Sequence, residues 1–178
     1  MARHVALLRG INVGGHRRIS MPELRDVLEA AGYEDVVTLL QSGNVVVKAK
    51  GSAKALGPAL ETLIERELDA DPLVVVRTHR ELGSVIDRNP FPEAVEQPRL
   101  LQVSFLSAEP GAAAVQEIET GDWGPDSVAF SGREIYASYP EGMNNSKLGR
   151  ALTDRRLGVT ATARNWNTVL KLHELSAP

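Results

Sequence analysis

Four stretches of this sequence gather the side chains that grip anions. "RGINVGGHRR" sets Arg9, Asn12, Arg17 and Arg18 around Gly10, Gly14 and Gly15. Glycines let backbone amides approach a ligand closely, and the arginines and asparagine add donors around them. "QSGNVV" places Gln41, Ser42 and Asn44 at a tight turn. In "GMNNSKLGRAL", Asn145 or Ser146 can cap a helix whose first turn then holds Lys147. A cation there opposes the helix dipole, and an anion bound at that helix end would offset it. "TARNWNTVLKL" lines up Arg164, Asn165, Trp166, Asn167 and Thr168 in the last connection of the chain, with Lys171 beyond. Asn165 or Asn167 can serve as a cap and Trp166 as a core anchor, but no cap requires Arg164. The chemistry these groups share is neutralisation of, and hydrogen bonding to, an oxyanion such as phosphate.

Other chemistries fit less well. Gly10 and Gly15 stand at the spacing of a nucleotide-binding P-loop, yet His16 and Arg17 occupy the lysine and Ser/Thr places, and no helix starts before Ser20. His4, His16, His79 and His173 show no metal-ligand spacing, so no metal site is predicted, and no cofactor is indicated. The adjacent Ser146 and Lys147 point about 100° apart on a helix and do not form a nucleophile and its base. No Ser/His/Asp order comes with a nucleophile elbow. Aromatic residues make up only 4% of the chain, which leaves the strands without the stacked rings of an RNA-recognition sheet.

The net charge of −3 hides an uneven distribution. Met1 to Arg18 holds four arginines and no acid, and Lys147 to Lys171 holds six basic residues against Asp154 alone. Acids concentrate instead on two predicted helices, Pro22 to Ala31 and Ala53 to Asp69, where Glu23, Asp26, Glu29, Glu61, Glu65 and Glu67 read as solvated faces. Two basic ends brought together would form one positive surface for an anionic partner. Cysteine is absent, which excludes disulfides and thiolate metal sites. The apolar run near the N-terminus is too short for a signal peptide or a membrane span, so a soluble cytoplasmic protein without a membrane partner is expected.

These groups need a scaffold, and its pattern repeats. "HVALL" reads as a strand, and "SMPELRDVLEAAG" as a helix with a Ser20/Glu23 capping box and Gly32 as its stop. "VVTLLQSGNVVVK" reads as two strands turning at Ser42 and Gly43. A helix carrying Leu56, Leu60, Leu63, Ile64 and Leu68 follows, and "PLVVVRT" is a strand. Thr78 and Glu81 form a second capping box before a short helix, and "NPFPEAVEQP" reads as a linker. "LLQVSFLS" then restarts the order: a helix entered at Pro110, a hairpin at Ser131 and Gly132, a helix from Lys147 to Leu157, the strand "GVTATA" and a tail helix. On the tail helix Trp166, Val169, Leu170 and His173 form one stripe. The predicted fold class is α+β, with two ferredoxin-like βαββαβ subdomains packed together and an extra C-terminal helix. The expected boundaries are 1–88, a linker at 89–99, and 100–178.

The blocks "ALLRGINVGG", "LLQSGNVV", "NPFP", "NSKL" and "TARNWNTVLKL", in this order, resemble the bacterial family known as domain of unknown function 1697. The resemblance spans nearly the whole chain and implies a two-part α+β fold, but no established activity. The recurrent polar positions it carries over are Arg9, Gly10, Asn12, Gly14, Gln41, Ser42, Gly43, Asn44, Ser146, Lys147, Arg164, Asn165, Trp166, Asn167, Thr168 and Lys171. Ala163, where a larger residue is expected, and Val47, where an aromatic is common, depart from the pattern.

The leading expectation is a phosphate-bearing or nucleotide-like small ligand bound where the two subdomains meet. Arg9, Lys147 and Arg164 would neutralise its charge, and Gly14, Gly15, Ser42, Asn44, Asn165 and Asn167 would orient it, with Asn12, Ser146 and Lys171 nearby. The rival expectations are a nucleic-acid-binding module with a phosphate-tracking surface, and an enzyme on the same anion using His16, Tyr136 or Lys147 as proton carriers.

Overall fold

The apolar runs become the strands of two antiparallel sheets. In a computed structural model that describes residues 1–12 and 18–178, the first sheet contains β1 (Ala2–Arg9), β2 (Glu34–Leu39), β3 (Asn44–Ala49) and β4 (Leu73–Thr78), in the order β2-β3-β1-β4. Helix α1 (Met21–Ala30) joins β1 to β2, and α2 (Ala53–Leu68) joins β3 to β4. Because β3 lies between β1 and β2, this is the split βαβ order. One sheet face, including Ala6, Leu8, Val45, Val47, Val74 and Val76, packs with Leu24, Leu28, Leu60 and Ile64 of the helices. Val5, Leu7, Val46, Val75 and Arg77, on the opposite face, are buried too. Strands covered on both sides read as unbroken apolar runs, which accounts for "HVALL" and "LVVV".

Local chemistry fixes the ends of these elements. Ser20 Oγ accepts the Glu23 N–H at 3.2 Å and caps α1, whose first turn carries Pro22. Helix α3 (His79–Asp87) begins at a reciprocal capping box. The Thr78 N–H donates to Glu81 Oε2 at 2.7 Å, and the Glu81 N–H donates to Thr78 Oγ1 at 3.2 Å. A 3₁₀ turn, Pro92–Glu96, lies within the proline-rich segment.

The second sheet repeats the order. It contains β5 (Leu101–Leu106), β6 (Ser127–Ser131), β7 (Glu134–Ser138) and β8 (Ala161–Asn165), arranged β6-β7-β5-β8. Helix α4 (Ala112–Glu119) precedes β6, while α5 (Lys147–Ala151) and α6 (Asp154–Leu157) precede β8. Leu106, Ile135 and Ala137 on one face pack with Ile118, Leu148 and Leu157 of these helices. The chain ends in α7 (Trp166–Leu175). The α+β architecture with two four-stranded sheets and a C-terminal helix is therefore the one expected.

Two compact units emerge, Met1–Gly83 with Lys171–Pro178, and Ser84–Leu170. The last eight residues thus group with the first unit, α3 and α7 are each divided, and segment 89–99 lies inside the second unit.

Three expectations need correction. The helix expected over Lys147 to Leu157 is two short helices, because Leu152 leaves helical geometry (ψ 65°) and extended Thr153 caps α6 through the Arg156 N–H. Arg164 and Asn165 lie not in a loop but in β8, where they pair with Val103 and Gln102. In α7 the buried apolar residues are Trp166, Val169 and Leu172, whereas Leu170 is 41% exposed. The helix is rotated relative to the expected stripe.

Candidate functional site

Two of the polar blocks meet at one end of the first unit. Gly10 (φ 84°) turns the chain out of β1, and Asn12 sits in the left-handed region at φ 59°, which asparagine tolerates better than most residues. Its side-chain amide then grips the backbone of Ile19. The Ile19 N–H donates to Asn12 Oδ1 at 2.7 Å, and Asn12 Nδ2 donates to the Ile19 carbonyl at 2.8 Å. Ile19 is itself a core residue, so the neck of the glycine loop is clasped and anchored. Gly14 and Gly15, with His16 and Arg17, lie outside the described residues.

The β2–β3 turn comes up against this neck. Asn12 Nδ2 reaches the Gln41 carbonyl at 3.4 Å, and the Leu8 N–H donates to the Gly43 carbonyl at 2.8 Å. Gly43 (φ 82°) must be glycine here, since a Cβ would stand 2.8 Å from both Ile11 Cγ2 and Leu8 Cβ. Asn44 is fully buried and holds the turn from inside, donating to the Leu39 carbonyl at 2.8 Å and to Ser42 Oγ at 3.0 Å. Gln41, Ser42 and Arg18 are exposed, and Arg9 is half-buried at the end of β1.

A cavity of about 510 Å³ opens beside the neck. Gly10, Ile11, Asn12 and Ile19 line it on the loop side, and Glu65, Asp69, Ala70 and Asp71 on the side of α2. Its size is that of a small-molecule site. Its walls are unlike in charge: the loop side is flanked in sequence by Arg9 and Arg18, and the opposite side carries carboxylates at the negative end of a helix.

In the second unit the remaining residues named from the sequence are separated. Ser146 Oγ accepts the Gly149 N–H at 2.7 Å, capping α5, and donates to Asp126 Oδ2 at 2.7 Å. The anion beside that helix end is therefore the protein's own. Lys147 is exposed at the start of α5, on the helix-covered side of the sheet. Arg164 projects from the opposite face, level with Val103, and is 8% exposed. Its Nη1 donates to Thr162 Oγ1 at 2.7 Å and to the Ala163 carbonyl at 2.8 Å. Burial pushes this guanidinium down to about 10, which leaves it charged at neutral pH. Asn165 Oδ1 caps α7, accepting the Thr168 N–H and hydroxyl, each at 3.0 Å. Asn167 is exposed, and Lys171, which belongs to the first unit, pairs with Glu174 at 2.9 Å.

Residues 1–136 match the family described as "Protein of unknown function (DUF1697)". The chain belongs to the DUF1697 family. This DUF1697 chain also shares its fold with a solved structure described as conserved bacterial protein SP0830 from Streptococcus pneumoniae. The TM-score is 0.79 at 21% identity, over 98% of each chain. No curated protein matches it. Among the described residues, no helix is long and apolar enough to cross a membrane, and no group of three or more His, Cys, Asp or Glu could hold a metal ion.

The DUF1697 fold also shows what the sequence reading passed over. Arg77 is 1% exposed and donates through Nη1 to the Val76 carbonyl at 3.0 Å, just as Arg164 does to the carbonyl before it. Each arginine sits on an edge strand opposite a valine of the central strand, Val5 or Val103, and each is followed by the residue that caps the next helix. The signal was present as "RTHREL" beside "RNWNTVL". Glu65, Asp69 and Asp71 carried no such signal, because helix-face acids look alike until the fold places a cavity beside them.

Proposed function

We propose that this chain binds a small phosphate-bearing ligand at the end of the first unit, where the glycine loop meets the β2–β3 turn. The observation that carries this reading is the Asn12 clasp. Two hydrogen bonds between Asn12 and Ile19 tie together the two points where the chain enters and leaves the loop, with Arg9 and Arg18 flanking it in sequence and the Gln41 carbonyl 3.4 Å from Asn12 Nδ2. The phosphate would take the arginine side, because Glu65, Asp69 and Asp71 on the far wall repel it. The hydroxyl of Ser42 and the amide of Gln41 would orient the rest of the ligand.

Thermal-shift screening against nucleotides, sugar phosphates and short oligonucleotides tests the proposal. A ligand at one hundred times its Kd adds about 2.7 kcal/mol to the folded state. The expected result is a raised Tm with a phosphate-bearing small molecule that is lost in Arg18→Ala, a substitution at an exposed site. A shift that survives both Arg18→Ala and Arg9→Ala would overturn it. A shift seen only with oligonucleotides, and collapsing steeply with salt, would instead favour a nucleic-acid partner.

A further inference from the structure

The first unit contains a pair of stacked imidazoles that the proposed ligand site does not use. His79, at the start of α3, and His173, near the end of α7, have ring centroids 4.1 Å apart and planes inclined by 8°. His79 Nδ1 lies 3.0 Å from the His173 carbonyl and 3.1 Å from Ser176 Oγ. A carbonyl only accepts, so Nδ1 carries the proton and donates. Ser176, itself buried, also donates to that carbonyl at 3.0 Å. The segment is pinned once more at its end, where Arg3 Nη1 donates to the Ala177 carbonyl at 2.8 Å. His173 leaves little slack, since a Cβ on Gly83 would stand 3.2 Å from its Nε2.

We propose that this pair is a proton-operated latch on the C-terminal segment Lys171–Pro178. Stacked rings tolerate one charge, but two imidazolium ions at this separation repel each other across a half-buried contact. An unperturbed imidazole changes charge between about pH 5 and 8. The charged groups around it already have roles. On α3, Arg80 is exposed and Glu81 accepts from Thr78; on α7, Lys171 and Glu174 pair with each other; from β1, Arg3 pairs with Asp35 at 3.3 Å. His4, also on β1 and in register with Thr78, is buried, and burial holds it below the usual imidazole range against the opposing pull of Glu81. Charging both rings of the pair releases the segment while the sheet and its core remain folded.

The chain has no cysteine, so Pro178→Cys gives one specific attachment point for a fluorophore. Label anisotropy is followed from pH 8 to pH 5 beside far-UV circular dichroism. The latch predicts that anisotropy falls toward that of a mobile label while the circular dichroism holds. It also predicts that the fall disappears in His173→Phe, which keeps a stacking ring and the backbone acceptor, and in His79→Phe, which keeps a ring on the other side. Both variants retain His4, so its protonation is common to all three proteins. A flat wild-type response, a fall shared equally by the variants, or a fall that coincides with loss of the circular dichroism would each overturn the latch. None of these outcomes depends on the ligand site.

Discussion

Replacing Asn12 separates the two things this residue does. Its amide makes two hydrogen bonds to Ile19, at 2.7 and 2.8 Å, and its backbone sits at φ 59°. Each hydrogen bond contributes about 1 kcal/mol net, and a left-handed backbone costs alanine about 1 kcal/mol more than it costs glycine. Asn12→Ala should therefore lose about 3 kcal/mol and Asn12→Gly about 2 kcal/mol. For a chain of this length that corresponds to a Tm lower by about 6–12 °C for the alanine variant. Urea unfolding of the three proteins measures the order, and amide exchange at Ile19 tests the cause, because its N–H loses its acceptor in both variants. The reasoning is refuted if Asn12→Ala loses less than about 0.5 kcal/mol, the scatter of ordinary surface substitutions. It is also refuted if the Ile19 amide stays protected.

Gly43→Ala should cost more than about 2 kcal/mol by urea unfolding, since it combines a left-handed backbone with a Cβ 2.8 Å from Ile11 and Leu8. Ser146→Ala removes the cap of α5 and the partner of Asp126, with an expected loss of about 1 kcal/mol. Tyr139 supplies a pH test. Burial first, and the Asp126 charge second, push its phenol up to about 12 from an ordinary value of 10. The unfolded chain deprotonates first, so the stabilisation is complete below pH 10 and is lost as pH rises toward 12. Tyr139→Phe should shrink the stability lost between pH 9 and pH 12 by about 2 kcal/mol, and an unchanged alkaline slope would contradict the assignment.

What was legible in the sequence was what local chemistry decides. The Thr78–Glu81 box, the Ser20 cap and the Gly43 turn are short-range geometries in which residue type nearly dictates conformation, and all three stand in the structure. What was not legible depends on distant partners. The run from Leu148 to Leu157 keeps its apolar residues across the break, so hydrophobic periodicity does not mark two helices, and the only local sign is Thr153 before Asp154, the cap of α6. Leu170 and Leu172 are equally apolar, and only packing chooses between them. β8 extends through Asn165 because Gln102 and Val103 are there to pair with. The return of the tail to the first unit rests on contacts such as Arg3 with Ala177, at opposite ends of the chain. At the candidate site, "RGINVGG" and "QSGNVV" could each be read as polar turns. That Asn12 and Gly43 join them is tertiary information.

The central claim is that the glycine loop and the β2–β3 turn of the first unit together bind a phosphate-bearing small molecule. Amide chemical-shift mapping of the labelled protein, titrated with the compound that most raises Tm, tests it most directly. Saturable shifts should concentrate at Gly10–Asn12, Arg18, Ile19 and Gln41–Gly43. Shifts centred on Lys147 or Arg164, with these amides unmoved, would contradict it.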